Sequence, residues 1–251
     1  MRALVTGAAS GLGAALVRAL VARGDEVLAT DLDAPAGGLR LDIRSDDDWT
    51  TALAWVQEHW GGLDLLVNNA GVAGGGRIER TSMEDWAWIT EINLFGVVRG
   101  TRAFVPMLKA QGSGRIVNVA SLAGLVHPPG MGSYNAVKAA VVAFSETAGH
   151  ELAPYGVGVS VVCPSYFRTN LMTTMRGEDA DVAAKIAAMV DESPLTADDI
   201  AAAVLAGVDA GDDVIVPDQP ARDAVALKHA DRTSYDTLMR QTAARMKERE
   251  Q

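Results

Sequence analysis

The sequence of 251 residues contains one cysteine, Cys163, and few aromatic residues, which make up 5% of the chain. One cysteine cannot form a disulfide within the chain, and the four histidines show no metal-ligand spacing with it, so we expect neither a disulfide framework nor a metal site. Positive charge is also scarce, because 22 Lys and Arg stand against 32 Asp and Glu, a net charge of −10. This balance disfavours nucleic acids and anionic membrane surfaces as partners.

Long hydrophobic runs are missing as well. The longest run, residues 200–208, is less than half as long as the roughly 20 residues that a membrane-spanning helix requires. The sequence starts directly in an apolar segment, without the charged and apolar regions of a secretory signal. We therefore expect a cytoplasmic protein with no membrane partner.

Short apolar runs alternate with segments of helical periodicity, a pattern typical of a parallel sheet covered by helices on both faces. The predicted strands are residues 2–6, 26–30, 63–68, 115–120, 157–163 and 213–216, and the predicted helices include residues 12–20, 49–60, 83–111, 134–153 and 197–210. We predict one α/β domain, a doubly wound, Rossmann-like parallel sheet over residues 1–216, followed by a helical C-terminal extension, residues 217–251.

The extension differs from the body in its high density of charges. Within it, a stripe of apolar residues recurs at helical spacing and consists of Tyr235, Leu238, Met239 and Met246. Thr233 and Ser234 are suited to cap the start of this helix. We expect the helix to dock on the body of the protein or on a neighbouring subunit.

A glycine-rich turn, residues 6–13, links the first predicted strand to the first helix with the spacing G-x-x-x-G-x-G. Such a turn lets a pyrophosphate approach backbone N–H groups at a helix N-terminus, where the helix dipole favours negative charge. Asp31 ends the second strand, 20 residues beyond Gly11, where a carboxylate can hold ribose hydroxyls. The sequence therefore predicts a dinucleotide site.

Together with later motifs, this turn resembles the motif set of the short-chain dehydrogenase/reductase family. The matching residues, in the family's order and spacing, include Asn68-Asn69-Ala70-Gly71, Asn93, Ser121 and the run from Tyr134 to Lys138. The resemblance implies that the catalytic residues are Asn93, Ser121, Tyr134 and Lys138. It also implies that the dinucleotide is bound by Gly7, Ser10, Gly11, Leu12, Gly13, Asp31, Asp42, Ile43, Asn69, Ala70, Gly71, Tyr134, Lys138, Pro164 and Thr169.

The chain also departs from the family's pattern. Asp31 and Asp42 are so close in sequence that the usual helix between the second and third strands is missing or reduced to a loop. Pro164 is followed by Ser165, where the family commonly has glycine, and the usual glycine-rich ending is replaced by the extension. These departures concern the substrate end of the site and the assembly.

The spacing of Tyr134 and Lys138 places both side chains on one face of a helix. An ammonium about 4 Å from the phenol would lower its pKa by up to about three units, which would make Tyr134 a base near neutral pH. Ser121 would hydrogen-bond the substrate oxygen, and the resemblance implies that Asn93 holds a water linking Lys138 to solvent. The alternative is a surface tyrosine, a solvated lysine and a capping serine.

The substrate end of the site is less clearly marked. The segment after the sixth strand is rich in apolar residues, which predicts a largely apolar pocket lined by Tyr166, Phe167, Leu171, Met172 and Met175, although a packed loop fits nearly as well. Trp86, Trp88 and His127 are weaker candidates for substrate contact. The predicted helix 134–153 is apolar on almost every side, which indicates burial against a second subunit in a homodimer or homotetramer.

The leading functional hypothesis is an oxidoreductase that transfers a hydride between NAD(H) and a secondary alcohol or ketone of a small, largely apolar substrate. NAD is favoured over NADP because Asp31 would repel a 2′-phosphate and neither Ser10 nor Leu32 is basic. Arg23 and Arg40 are the arginines nearest to Asp31 in sequence that could reach a phosphate there. The alternatives are a catalytically silent dinucleotide sensor or regulatory protein on the same fold, and an epimerase or dehydratase.

Overall fold

The computed structural model describes residues 1–248 and contains a seven-stranded parallel sheet in the order β3-β2-β1-β4-β5-β6-β7. The direction of strand progression reverses at β1, and ligands of such sheets bind outside the carboxyl ends of the strands at this reversal. The strands are β1 (Arg2–Thr6), β2 (Glu26–Asp31), β3 (Leu39–Arg40), β4 (Leu65–Asn68), β5 (Arg115–Val119), β6 (Gly158–Val162) and β7 (Val214–Ile215).

Helices cover both faces of the sheet. They are α1 (Gly11–Ala22), α2 (Asp46–Trp60), α3 (Met83–Thr90), α4 (Gly96–Gln111), α5 (Ala123–Val126), α6 (Gly132–Leu152), α7 (Ala180–Asp191), α8 (Ala197–Ala210), α9 (Gln219–Ala230) and α10 (Arg232–Glu248). Successive strand residues point to opposite faces, so Val5 and Val67 pack with α1 and α8, whereas Leu4 and Leu66 pack with α2, α4 and α6. The predicted doubly wound α/β fold is confirmed.

Three local features differ from the sequence prediction. The short strand β3 and the alanine-rich helix α7 were not predicted, although Asp179 caps α7 by accepting a hydrogen bond from the Val182 backbone N–H. The predicted helix 83–111 is interrupted by a π-helical turn, Glu91–Phe95. Helical periodicity could not reveal this turn, because one wider turn leaves the apolar spacing on both sides intact.

The C-terminal extension packs on the body of its own chain. The Asp218 carboxylate accepts hydrogen bonds from the Ser165 hydroxyl at 2.6 Å and from the Ser165 backbone N–H at 2.9 Å. Farther along, the Lys228 ammonium donates to the Leu125 carbonyl and the buried Tyr235 hydroxyl donates to the Val126 carbonyl. The Asp218 contacts tie the start of α9 to the segment after β6, and the other two anchor α9 and α10 to the segment that connects β5 with α6.

The predicted cap of the last helix is wrong. Helix α10 begins at Arg232, and the Asp231 carboxylate accepts a hydrogen bond from the Ser234 backbone N–H at 3.0 Å, so neither Thr233 nor Ser234 is the cap. The predicted apolar stripe is only partly buried, because Leu238 is 43% exposed. The last three residues of the predicted extension, 249–251, lie outside the described part of the chain.

Within residues 1–248, no helix is long and apolar enough to cross a membrane. Over the same residues, no group of three or more His, Cys, Asp or Glu side chains is placed to hold a metal ion.

Candidate active site

A cavity of about 1100 Å³ opens at the carboxyl ends of the strands. It brings together most residues that the sequence assigned to the site, namely Gly7, Ser10, Gly11, Leu12, Asp31, Asp42, Ile43, Asn69, Ala70, Gly71, Ser121, Tyr134, Lys138, Pro164 and Thr169. Gly13 and Asn93 do not line the cavity and support its walls from behind.

The glycine-rich turn between β1 and α1 forms one end of the cavity. Gly11 has a φ of +53°, and a Cβ added there would lie 2.6 Å from the Thr169 hydroxyl oxygen. A Cβ on Gly13 would lie 2.1 Å from the Gly7 carbonyl oxygen, so only glycine permits this close packing of turn and helix. The cavity-facing N-terminus of α1 then presents backbone N–H groups, which fits the pyrophosphate of a dinucleotide.

Asp31 and Asp42 are placed beside this turn. The Asp31 carboxylate accepts hydrogen bonds from the backbone N–H groups of Ala9 at 2.9 Å and Leu32 at 2.7 Å. Asp42 pairs with Arg44 at 2.6 Å, and this hydrogen-bonded guanidinium holds the pKa of the Asp42 carboxyl below its usual range. Arg44 is a cavity residue that the sequence reasoning missed, although its spacing two residues beyond Asp42 could have indicated the pair.

The arginines that the sequence reasoning considered instead are engaged elsewhere. Arg23 pairs with Asp25 and Asp209, and Arg40 pairs with Asp48 at 2.7 Å. Neither arginine lines the cavity.

The segment after β4 holds the glycine-rich turn in place. The Thr6 hydroxyl accepts hydrogen bonds from the backbone N–H groups of Asn69 and Ala70, both at 3.0 Å, and the Asn69 amide donates to the Thr6 carbonyl at 2.8 Å. A Cβ on Gly71 would lie 2.9 Å from the Asn93 side-chain oxygen. The β4 end and the turn therefore form one rigid wall.

Asn93 lies in the π-helical turn and is 1% exposed. Its side-chain oxygen accepts from the Val72 backbone N–H at 2.8 Å, and its amide donates to the Val72 carbonyl at 2.9 Å. Both side-chain groups of Asn93 are thus engaged with the Val72 backbone. The role of Asn93 in holding water remains a prediction.

Tyr134 and Lys138 lie one turn apart on α6, as their spacing predicted, and their side chains are 8% and 5% exposed. The Lys138 Nζ lies 5.7 Å from the centroid of the Tyr134 ring and donates a hydrogen bond to the Val119 carbonyl at 2.9 Å. Ser121, just beyond β5, hydrogen-bonds the Tyr134 hydroxyl through its side chain. The three polar groups thus meet at the end of β5.

Burial dominates the titration of this pair. It raises the pKa of Tyr134 to about 12, against the smaller opposing effect of the Ser121 hydrogen bond, and it lowers the pKa of Lys138 to about 8. The expected lowering of the Tyr134 pKa by Lys138 is therefore wrong for this geometry. Both groups are desolvated, and the ammonium is directed to the Val119 carbonyl.

The lowered pKa of Lys138 predicts a pH dependence of stability. The value in the folded protein lies below the ordinary 10.5, so the unfolded chain binds more protons between about pH 8 and 10.5, and stability rises with pH in that window. From pH 7 to 9, the free energy of unfolding of the wild type should rise by about 1 kcal/mol more than that of Lys138→Met. Urea unfolding checks this.

The matched control for this measurement is Lys185→Met, which removes an exposed ammonium. It should follow the wild-type pH dependence. Parallel curves for wild type and Lys138→Met would contradict the buried, charge-disfavouring environment of Lys138.

The other end of the cavity is largely apolar. The residues predicted after β6 all line it, namely Tyr166, Phe167, Leu171, Met172 and Met175, and helix α7 adds Val182, Ile186 and Met189. Trp88 also lines the cavity, whereas Trp86 does not. His127, a weaker candidate for substrate contact, does not line the cavity, because its ring contacts the Gly124 carbonyl and the Lys228 ammonium of the extension.

Helix α10 closes this apolar end. Met239, Thr242 and Met246 line the cavity, and the Met246 side chain packs in the same apolar cluster as Tyr134. The Met246 carbonyl accepts a hydrogen bond from the Arg77 guanidinium at 3.1 Å, and Arg77 also pairs with Asp179 at 2.7 Å. Arg77 thereby ties α10 to the start of α7.

We expect a chain ended after Asp231 to lose this wall. Burial of Tyr235 is worth about 1.5–3 kcal/mol and the partly buried Met246 adds less, so the melting temperature should fall by roughly 5 °C. KM for an apolar substrate should rise severalfold, because the cavity is left open. Differential scanning calorimetry and steady-state kinetics measure both effects.

Leu238→Ser in the full chain is the control, since it changes an exposed residue of the same helix. It should leave melting and KM close to wild type. If the shortened chain also kept wild-type melting and KM, helix α10 would not be part of the site.

Comparison with known proteins defines the family. Residues 1–180 match the family model for short chain dehydrogenases. A 2-(R)-hydroxypropyl-CoM dehydrogenase of Xanthobacter autotrophicus is 34% identical over 230 residues, which cover 83% of this chain and 92% of that protein. The chain therefore belongs to the short-chain dehydrogenase/reductase family of oxidoreductases.

Solved structures agree with this assignment. A family member from Burkholderia phymatum in complex with NAD has a TM-score of 0.85 at 31% identity, covering 92% of this chain and 93% of its own. Another, from Burkholderia cenocepacia J2315 in complex with NADP, has a TM-score of 0.80 at 30% identity, covering 95% and 96%. Similar structures thus hold either form of the cofactor.

Proposed function

We propose that this oxidoreductase transfers a hydride between NAD(H) and a secondary alcohol or ketone of a small, largely apolar substrate. The observation that carries the proposal is the meeting of Ser121, Tyr134 and Lys138 between a dinucleotide cradle and an apolar cavity. The name of the hydroxypropyl-CoM relative, which specifies a secondary alcohol, supports this substrate class. A silent dinucleotide sensor gains no support, because all three polar residues are present and converge.

The nicotinamide, when bound, supplies the hydride acceptor or donor. In ketone reduction, the Ser121 hydroxyl hydrogen-bonds the substrate oxygen and the Tyr134 hydroxyl gives that oxygen its proton. In alcohol oxidation, Tyr134 first loses its proton to solvent, and the resulting phenolate takes the proton of the alcohol. The positive charge of Lys138 offsets part of the cost of burying a phenolate at Tyr134, although desolvation still keeps the pKa of Tyr134 above its usual value. The apolar walls keep bulk water from the reacting carbon.

The same proposal assigns the dinucleotide contacts. The pyrophosphate lies on the turn of residues 7–13, the Asp31 carboxylate accepts from the ribose hydroxyls, and Asp42 with Ile43 borders the adenine. Residues 69–71 flank the middle of the cofactor. Pro164 and Thr169 complete the set of proposed dinucleotide contacts, and the Thr169 hydroxyl lies against Gly11 of the turn.

We also propose a homodimer or homotetramer in the cytoplasm. Helix α6 leaves Ala136, Ala143 and Thr147 exposed, a face of small residues that a second copy can approach closely. The lone buried thiol of Cys163 is consistent with a reducing compartment. Sedimentation equilibrium of the full chain tests the assembly, and a monomer at micromolar concentration would contradict it.

The direct test of function is absorbance at the reduced-nicotinamide band with NAD and NADP against a panel of secondary alcohols and ketones. We expect turnover of at least one apolar secondary alcohol. Dinucleotide binding without turnover of any member of the panel would favour the sensor instead.

A further inference from the structure

The charges that line the cavity are unevenly distributed. Among the described residues, its two lining carboxylates are Asp31 and Asp42, and both lie at the dinucleotide end. The apolar end has no lining carboxylate, yet two cations, Arg176 and Lys185, line it. In a chain with a net charge of −10, this end of the cavity is locally positive.

Arg176 is held in place without using the N–H donors of its guanidinium. Its backbone forms a bridge with Gly74, in the segment after β4, and its guanidinium lies 4.4 Å from the centroid of the Trp88 ring. Stacking on an aromatic face occupies one side of the guanidinium plane and leaves the in-plane N–H groups available. No carboxylate of the described residues pairs with Arg176, so these donors can serve a ligand.

Lys185 is the second cation that lines this end of the cavity. It lies on α7, where Val182, Ile186 and Met189 also line the cavity, so its stem runs along the cavity-facing side of the helix. No described residue forms an ion pair with it. An apolar cavity end that carries two cations, with no carboxylate partner for either among the described residues, matches a ligand with an apolar body and an anionic group.

We propose that the substrate is a hydroxy or keto acid: its carbinol or carbonyl carbon lies at Tyr134, its apolar chain follows the methionine-rich wall, and Arg176 with Lys185 binds its anionic group. This inference rests on the proposed hydride transfer and specifies its substrate class. Trp88 acts here as a positioning residue, because its ring orients the Arg176 guanidinium.

The kinetic test compares charged and neutral forms of one carbon skeleton. Hydroxy acids from hydroxybutanoate to hydroxyoctanoate, with the alcohol on the penultimate carbon, are each assayed against their methyl esters. At the best chain length, kcat/KM for the acid should exceed that for the ester by about tenfold or more, the scale of one charged hydrogen bond. Added salt should reduce only the acid's advantage.

The variant is the double substitution Arg176→Gln with Lys185→Gln, and Arg102→Gln on α4 is the control because Arg102 is exposed and does not line the cavity. The double variant should raise KM for the acid about tenfold and leave the ester's KM within twofold. An equal rise for acid and ester would show that the two cations only support the cavity wall, and would overturn the inference.

A binding measurement separates this inference from the proposed reaction. Octanoate and octanamide are titrated calorimetrically into the complex with NADH, where neither compound can react. Octanoate should bind about tenfold more tightly, with the difference lost in the double variant and kept in Arg102→Gln. Equal affinities, or no binding of either compound, would overturn the anion site even if hydride transfer is observed. Selective binding of octanoate without turnover of any substrate would support the anion site and contradict the proposed reaction.

Discussion

Replacing Tyr134 with phenylalanine should lower kcat at least a hundredfold while the affinity for NADH stays near wild type. The substitution keeps the ring that packs in the apolar cluster and removes the hydroxyl that Ser121 contacts. A positioned general acid or base contributes about 10²–10⁴-fold, and Tyr134 is the group proposed to exchange the substrate proton. Steady-state kinetics and the fluorescence of bound NADH measure the two quantities.

Tyr166→Phe is the matched control, because it removes the same group from the same cavity. The Tyr166 hydroxyl makes one weak contact, with the Met131 sulfur at 3.7 Å, so kcat should fall less than threefold. If Tyr134→Phe kept more than a tenth of the wild-type kcat, another group would have to move the proton, and the mechanism would be wrong.

Spacing predicts a lowered pKa for Tyr134, whereas burial raises it, and this difference shows what spacing alone can predict. A spacing of four residues correctly placed Tyr134 and Lys138 on one helix face, since helix geometry is local. It could not show that both side chains are buried or that Lys138 donates to the Val119 carbonyl, because β5 reaches the site from elsewhere in the chain. Desolvation, which decides the pKa here, is a property of the packed fold.

Motifs located the dinucleotide end better than the substrate end for the same reason. The turn of residues 6–13 and Asp31 lie at strand ends, so their place in the sheet followed from the order of the strands. The substrate end is built from α7, Trp88 and α10, which are distant in sequence and meet only through packing. The bond from Arg77 to the Met246 carbonyl, for example, joins residues 169 positions apart.

The interrupted helix around Asn93 is an intermediate case. The resemblance to a family marked Asn93 as functional, and helical periodicity marked its surroundings as helical. Neither signal indicated the π-helical turn, which sets the side chain against Val72 and away from the cavity. π-Helical turns are often found at functional sites. The turn therefore indicates a functional role for Asn93 more directly than the helical periodicity around it does.

The wild type should use NAD at least about a hundredfold more efficiently than NADP, a ratio that corresponds to roughly 2.7 kcal/mol. The Asp31 carboxylate, fixed by the backbone N–H groups of Ala9 and Leu32, is placed to accept from a ribose hydroxyl. A 2′-phosphate there would bring like charges within about 4 Å, at a cost of several kcal/mol. Arg44 offers little compensation, because Asp42 already pairs with it.

Asp31→Ala should reduce this preference to less than about tenfold, because both the ribose contact and the repulsion of the phosphate are lost. The readout is the ratio of kcat/KM for the two cofactors, since loss of the Ala9 contact also loosens the glycine-rich turn and affects both cofactors alike. Asp33→Ala, which removes an equal charge from the exposed loop two residues later, should keep the wild-type ratio. Equal efficiency with NAD and NADP in the wild type would show that Asp31 does not face the ribose. An equal effect of Asp31→Ala and Asp33→Ala on the ratio would show that the cofactor preference comes from the net charge of the protein.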